Sequence, residues 1–458
     1  MSRTRLPFWR RMSPPRLLAV SFLGLIAVGT IGLGAVPAFY VGGVPLSWVD
    51  ALFTATSAVC VTGLIVVDTA THFTRLGQGF LLLLIQLGGL GMITITTLII
   101  LTLGRRISLR VASVAAQMTG PVPEVELRIL VRRIVVLTLG LEAVGALVLF
   151  GSFQGVFPMG EAAWHALFHA VSAFCNAGFS TFSDSLVGWT RSEPVLWTVM
   201  ALVTLGGIGF LTIEEVGASF RRRKEKGGTR LSLHSRIVLA GSALLLVAGW
   251  VTYAAFEWGG VLAEMTGADK LQNALFMSVT ARTAGFNTVA YADASPATNF
   301  LTILLMSVGG SPGSTAGGLK TTTFFLIGLL AWSRFRGRTH VSAWSRTVPE
   351  ETVQRAVGVC VLAFGTISLA IFLYVAFGSV GGGTDPFLSL MFEAVSAFNT
   401  VGLSMGMTTG LDTASRILTS ILMFVGRIGP LSFAAALAVK AQAATHSYHF
   451  AREDVSIG

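Results

Sequence analysis

Four short segments of the chain end on a glycine preceded by small or hydroxyl residues: Val61-Thr62-Gly63, Asn176-Ala177-Gly178, Thr283-Ala284-Gly285 and Thr400-Val401-Gly402. The chemistry open to such triplets belongs to the main chain. Glycine permits dihedrals closed to other residues, and small neighbours let carbonyl oxygens crowd inward to replace the water around a cation. A second set of residues could act on the same path. Arg427 is an isolated cation in an apolar stretch. The run Gly309-Gly310-Ser311-Pro312-Gly313-Ser314-Thr315-Ala316-Gly317-Gly318, followed by Lys320, is too rich in glycine and proline to stay helical. A flexible loop at membrane depth is a candidate gate.

Each triplet closes a longer repeat. ALFTATSAVCVTGL begins at Ala51, ALFHAVSAFCNAGF at Ala166, ALFMSVTARTAGF at Ala274 and LMFEAVSAFNTVGL at Leu390. From the shared Phe53, Phe168, Phe276 and Phe392 to the glycine the count is 10, 10, 9 and 10 residues. The third is one residue short and carries Arg282 beside Thr283, which predicts a departure from fourfold symmetry there. Every repeat lies between two strongly apolar stretches. A segment of about a dozen residues is too short to cross ~30 Å of hydrocarbon, yet too apolar for water. It reads as a short helix entering the membrane partway, with an extended return tolerated because it lines a cavity. Four tandem helix–pore-loop–helix units around one axis would build a pore from a single chain. The fold expected is an all-α polytopic membrane protein in pseudo-fourfold arrangement with eight spanning helices.

Composition supports a bilayer: 53% of residues are hydrophobic and 12% charged, against about 25% charged in a soluble domain. Spans are expected near 17–39, 78–103, 130–152, 194–216, 236–256, 297–333 (interrupted), 355–378 and 415–438. The units then cover 17–103, 130–216, 236–333 and 355–440, between a leader 1–16 and a tail 441–458. On that map 25 of the 32 Lys and Arg fall at the two termini or in the loops 104–133, 217–236 and 334–355. The positive-inside rule makes both termini and those loops cytoplasmic and places the chain as a multi-pass protein of the plasma (inner) membrane. Clusters such as Arg221-Arg222-Arg223-Lys224 serve orientation, and no nucleic acid is expected as a partner. The first apolar stretch exceeds 20 residues and is expected to be retained as a span rather than cleaved as a signal.

The second helix of each unit carries another mark: GGLGMIT from Gly88, GGIGFLT from Gly206, GGSPGSTAGG from Gly309 and GRIGPLS from Gly426. Close helix packing explains the glycines, and only the third copy is expected to break. Gly313 to Thr321 misses a phosphate-binding loop because Leu319 separates Gly318 from Lys320. Arg427 is assigned to the conduction path; a buried pair with Glu142 or Glu393 is the alternative. Arg282 and Glu393 are expected to pair with each other behind the triplets. Glu161, His165 and His169 recur at helical spacing but are placed at the water-exposed start of the second short helix, where polar residues need no metal. The three cysteines, Cys60, Cys175 and Cys360, form neither a disulfide framework nor a metal motif. No nucleophile–base set lies at catalytic spacing, so an enzyme is not expected.

Together the four units, one glycine per triplet, the T-V-G of the fourth, the interrupted helix and Arg427 resemble the Trk/Ktr/HKT superfamily of potassium transporters, over roughly residues 17 to 440. Eight spans with a short leader are closest to the KtrB branch, since TrkH-type members usually carry two more helices. The resemblance implies inward K⁺ conduction with K⁺ held by filter carbonyls and a frequent Na⁺ dependence, with Na⁺ as an activator. It also implies a homodimer and a cytosolic KtrA-like RCK ring that binds ATP or ADP, with no organic cofactor in this chain. The arginine matching Arg427 obstructs the path together with the intramembrane loop. An ion-coupled carrier for another solute is the competing class; it predicts two inverted halves rather than four like units.

Overall fold

The computed structural model describes residues 14–109, 124–223, 231–378 and 385–429. The expected leader up to residue 13, the last span and tail beyond 429, and loop segments 110–123 and 224–230 lie outside the described residues.

The first unit comprises α1 (Pro14–Ala35), α2 (Trp48–Val59) and α3 (Arg75–Leu109). The second comprises α4 (Glu124–Phe153), α5 (Met159–Cys175), α6 (Glu193–Ile208) and α7 (Phe210–Arg223). The third is α8 (Leu233–Glu257), α9 (Gly267–Thr280), α10 (Pro296–Met306) and α11 (Thr321–Phe335). The fourth is α12 (Glu350–Ala376), α13 (Pro386–Phe398) and α14 (Thr413–Ile428). A two-stranded hairpin, Ser342–Ala343 with Arg346–Thr347, joins α11 to α12.

Length separates two kinds of helix. α1, α3, α4, α8 and α12 run 22, 35, 30, 25 and 27 residues, enough for the ~20 that a crossing needs. α2, α5, α9 and α13 run 12, 17, 14 and 13 residues and cannot cross. Their closing turns are buried on every side, as Phe53 to Val59 are in α2. A helix that is enclosed all round belongs inside a bundle. Two of these short helices start on a side-chain cap: Ser47 accepts from Asp50 N–H and Thr266 from Asp269 N–H.

The units close into a ring. α3 packs on α5, α6 on α9, α10 on α13, and α14 on α2. Each second helix thus supports the next unit's short helix, and the fourth returns to the first. An ion pair of Arg416 on α14 with Asp50 on α2 fastens that closure. In units 1, 2 and 4 the repeated glycines seat the second helix on its own short helix. A Cβ at Gly88, Gly206 or Gly426 would lie 2.0, 2.0 and 1.6 Å from the carbonyl oxygens of Val59, Phe174 and Phe398. No other residue fits there.

The expectation of a single interrupted second helix fails. The unit 2 helix bends by 99° between α6 and α7. The bend is at Gly209 (φ 93°, ψ 140°), and Gly429, which ends α14, has nearly the same dihedrals (φ 88°, ψ 138°). Long-range bonding causes the first break. Carbonyls of Gly206 and Gly207 accept from Thr315 N–H (3.1 Å) and Ser311 N–H (2.9 Å), and Phe210 N–H donates to Gly313 O (3.0 Å). Partners from unit 3 replace the bonds that the helix gives up. Among the described residues, five helices, or six counting the bent pair, are therefore long and apolar enough to cross alone. Unit 3 crosses in two pieces, and α14 is described for only 16 residues.

Candidate functional site

At the end of each short helix the chain turns sharply. Val61, Asn176, Thr283 and Thr400 have φ of 56°, 60°, 67° and 50°, and the glycines two residues later have 94°, 69°, 81° and 92°. Left-handed residues alternate with ordinary ones, which turns successive peptide planes so that their carbonyls face one side. The third triplet keeps this alternation of φ, while the one-residue shortening upstream shows as an Ala284 N–H bond to the fourth residue back rather than the fifth.

The N–H groups are tied in the opposite direction. Thr62 N–H donates to Ser57 O (2.8 Å), Ala177 to Ser172 O (2.7 Å), Ala284 to Thr280 O (3.0 Å) and Val401 to Ser396 O (2.8 Å). The hydroxyls of the same four residues complete the brace. Ser57 Oγ and Ser396 Oγ accept from Gly63 and Gly402 N–H, both at 3.1 Å. Ser172 and Thr280 instead donate to the carbonyls of Phe179 and Phe286. With N–H groups turned to the helices, the carbonyls are left for the centre. These hydroxyl residues escaped the sequence reading, although their recurrence five or six positions before each glycine was the available signal.

The four glycines meet in cyclic order. A Cβ on Gly63 would lie 2.4 Å from Ala177 O, one on Gly178 2.9 Å from Ala284 O, one on Gly285 2.6 Å from Val401 O, and one on Gly402 2.1 Å from Thr62 O. Each triplet leans on the next and the fourth on the first. On one side the ring opens into a cavity of about 440 Å³ lined by all four glycines together with Asp68, Ser183, Asp184, Asn287 and Ser404. Two carboxylates at such a mouth raise the local concentration of cations. The hydroxyls of Thr62, Thr283 and Thr400 are buried with no hydrogen-bond partner. An orphaned hydroxyl costs about 1–3 kcal/mol, and a dehydrated cation or its water would satisfy it.

Loop 309–318 forms the floor on the other side. A Cβ on Gly317 would strike Thr400 Oγ1 at 2.1 Å, and one on Gly318 would strike Asn399 Oδ1 at 2.3 Å. The loop also binds unit 2, with Thr315 Oγ1 donating to Phe174 O (3.2 Å), and unit 4, with Gly318 N–H donating to Gly426 O (3.1 Å). Ser314 Oγ closes on Ser311 O inside it. Lys320 folds back so that Nζ donates to Ala316 O (2.6 Å). Arg427 is wholly buried. Its Nη1 donates to Thr315 O and its Nη2 to Gly88 O (3.2 Å), so it bridges the loop to unit 1.

Several expected partnerships are replaced. Arg427 pairs with neither acid: Glu142 accepts from Gln86 Nε2 (3.1 Å), and Glu393 accepts from Ser404 (2.9 Å) and Thr408 (2.6 Å) hydroxyls. The expected Arg282–Glu393 pair is absent as well, because Arg282 donates to Thr321 Oγ1 (3.0 Å). Local hydroxyls reach Glu393 more easily than a cation from another unit. Of the histidine group, His169 is not water-exposed. It is fully buried, bonded to His165 O (2.7 Å) and Ser180 Oγ (2.9 Å), and its ring stacks on Phe182. Glu161 faces Arg75 at 3.7 Å, and no metal cluster forms among the described residues. Cys60 and Cys175 are buried and free.

Known proteins resemble the chain in sequence and in fold. The family model for TrkH, described as a cation transport protein, matches residues 29–448. The potassium/sodium uptake protein NtpJ of Enterococcus hirae is 36% identical, with 98% of each chain covered. The Ktr system potassium uptake protein B of Vibrio alginolyticus is 38% identical over 93% of this chain and 91% of its own; its Bacillus subtilis counterpart is 36% identical over 93% of each. Among solved structures, the potassium transporter TrkH of Vibrio parahaemolyticus superposes with a TM-score of 0.75 at 18% identity, covering 94% of this chain and 86% of that one.

Proposed function

The chain belongs to the TrkH family of cation transport proteins, and from that premise we propose that it is a potassium uptake subunit. K⁺ enters from the outer mouth and sheds water onto the carbonyls of Val61-Thr62-Gly63, Asn176-Ala177-Gly178, Thr283-Ala284-Gly285 and Thr400-Val401-Gly402. The observation that carries this is the cyclic contact of four glycines whose triplets share one alternating backbone. A ring of oxygens fixed from behind by hydroxyls can replace a hydration shell without collapsing.

Loop 309–318, Lys320 and Arg427 form the closed barrier below. Arg427 sets a fixed positive charge on the cation path and clamps the loop through Thr315 O. Glycine content lets the loop move on the microsecond-to-millisecond scale of gating. The basic ends of the spans face the cytoplasm of a plasma-membrane protein. There Arg132, Arg334, Arg336 and Arg338 are exposed and could meet an acidic cytosolic partner. A homodimer regulated by a nucleotide-binding RCK ring, with Na⁺ dependence, completes the assignment; named relatives carry the words potassium/sodium and Ktr system. The quarter-units 17–103, 130–216, 236–333 and 355–440 are taken as its working parts.

Expression in a bacterial strain lacking its own K⁺ uptake tests the assignment. Growth at low external K⁺ is expected. Expression at the membrane without rescue, with or without a Ktr-type partner, refutes it.

A further inference from the structure

The position three before each filter glycine lies within two residues of the end of its short helix, and its four occupants are Cys60, Cys175, Arg282 and Asn399. The backbone does the same work in every unit, but the side chains diverge. Cys60 and Cys175 are small and buried. Arg282 and Asn399 both reach the neck of loop 309–318. Asn399 is oriented by its Nδ2, which donates to Val395 O (3.1 Å), so that Oδ1 accepts from Leu319 N–H (3.1 Å). Arg282 Nη2 donates to Thr321 Oγ1 (3.0 Å), and that hydroxyl donates onward to Gly309 O (2.7 Å). Gly309 N–H returns to Leu319 O (2.8 Å), and Thr321 N–H to Gly310 O (3.0 Å). Two units therefore grip, from two sides, the place where the loop leaves and rejoins its helix.

We propose that Arg282 and Asn399 are positioning residues that couple the triplets of units 3 and 4 to loop 309–318, so that ion occupancy and loop displacement change together. Each shares a peptide plane with a triplet residue at positive φ, Thr283 or Thr400. A change in those dihedrals as an ion enters or leaves must therefore turn the side chain that holds the neck. In the other direction, withdrawing the loop removes Thr321 from Arg282 and Leu319 N–H from Asn399. Asn399 Oδ1 then lies unpaired at membrane depth and Arg282 keeps only its 3.5 Å bond to Ser242 O, which is costly unless the triplets shift with them. A cavity of about 20 Å³ bordered by Arg282, Ser242, Gly207 and Gly310 leaves the guanidinium room to move. At this position units 1 and 2 offer only buried cysteines, and Cys175 bonds to Gln86 Oε1 rather than to the neck of the loop.

The inference rests on the filter and gate assigned above, and its test separates the two. Thr321→Val deletes the relay hydroxyl while keeping shape; Thr321→Ser restores it. Unidirectional K⁺ and Na⁺ fluxes per folded transporter are measured in proteoliposomes without a regulatory subunit. Thr321→Val should raise K⁺ flux about fivefold, the shift that loss of one net hydrogen bond gives, and lower the K⁺/Na⁺ ratio in the same variant. Thr321→Ser should match the parent in both. Raised flux with an unchanged ratio overturns the coupling and leaves the gate standing. If neither quantity moves, the coupling is overturned too, and Arg427→Ala then shows whether the gate fails with it. If Thr321→Val does not fold, Asn399→Ser, which removes the oxygen that accepts from Leu319 N–H, takes its place: raised K⁺ flux with a lowered K⁺/Na⁺ ratio is expected, and an unchanged ratio overturns the proposal.

Discussion

Serine substitution at the four filter glycines should produce graded, not equal, damage. All four are at positive φ, and an L side chain there costs about 1–2 kcal/mol. That strain is common to the series and cannot rank it. What differs is the distance from the new Cβ to the neighbouring carbonyl oxygen: 2.1 Å at Gly402, 2.4 Å at Gly63, 2.6 Å at Gly285 and 2.9 Å at Gly178. Reaching 3.0 Å requires shifts of about 0.9, 0.6, 0.4 and 0.1 Å respectively. The carbonyls that must yield, those of Thr62, Ala177, Val401 and Ala284, are the ones assigned to the ion. Discrimination between K⁺ and Na⁺ depends on how such oxygens are placed and how strongly they coordinate.

Measured as K⁺ and Na⁺ flux per folded transporter in proteoliposomes, the loss of K⁺/Na⁺ selectivity should follow Gly402 > Gly63 > Gly285 > Gly178. Gly178→Ser has an added contact, with the Gly285 Cα at 2.8 Å, so it should fall near Gly285→Ser rather than at the parent. Gly178→Ser as the most damaging of the four would refute the steric reasoning. Unchanged selectivity in all four would refute the filter itself.

Other outcomes are equally definite. Arg427→Ala should raise basal K⁺ flux per folded transporter and lower thermal stability in detergent, since the carbonyls of Thr315 and Gly88 lose their donor at about 1–3 kcal/mol; a fall in flux would leave Arg427 a purely structural residue. Gly426→Ala, whose Cβ would lie 1.6 Å from Phe398 O, should abolish folded protein, whereas Gly24→Ala, with nothing within 4 Å, should leave the melting temperature unchanged; equal melting temperatures would contradict the packing. Asp50→Asn should lower the melting temperature by loosening the closure to Arg416 without altering selectivity, and altered selectivity would mean the closure also shapes the filter. At the outer mouth, burial alone would raise the Asp68 pKa, but hydrogen bonds from Ser183, Thr71 and Ala70 N–H, with His72 nearby, hold it below the ordinary carboxylate value. A depressed folded pKa stabilises above the unfolded value and is lost only as pH falls through the folded one. Asp68 should therefore contribute equally from pH 8 to 5 and less only in stronger acid, and a parent-minus-Asp68→Asn difference in melting temperature that disappears between pH 8 and 5 would refute this.

The repeats were legible because their constraint is local. A residue at positive φ followed two positions later by a glycine, with a hydroxyl behind, must recur wherever the same loop is built. The break at Gly209 was not legible, because Gly91 occupies the matching place in GGLG and stays helical within α3. Local propensity permits either state. What decides is whether another unit supplies bonds for the carbonyls set free, as loop 309–318 does for Gly206 and Gly207 of unit 2. Charge counting misled for the same reason. Arg282 and Glu393 are both isolated charges in sequence, yet each finds hydroxyls nearer than it finds the other.

The same contrast explains how the molecule distributes symmetry. Coordination of a spherical ion makes the same demand of every unit, so the triplets share one backbone despite sequences as different as Val-Thr-Gly and Asn-Ala-Gly. A single barrier makes unequal demands. One unit must surrender its second helix to form the loop, the units beside it must bind the loop's backbone, and one must supply the cation that clamps it. Units 2, 3, 4 and 1 are seen in those unequal positions: Gly206 and Gly207 accept from the loop, Asn399 and Gly426 hold its neck, and Gly88 O takes the second hydrogen bond of Arg427. On the proposed filter and gate, selectivity and closure should therefore be separable by substitution in the ring or in the floor, except at Arg282 and Asn399, which reach from the triplets to the loop.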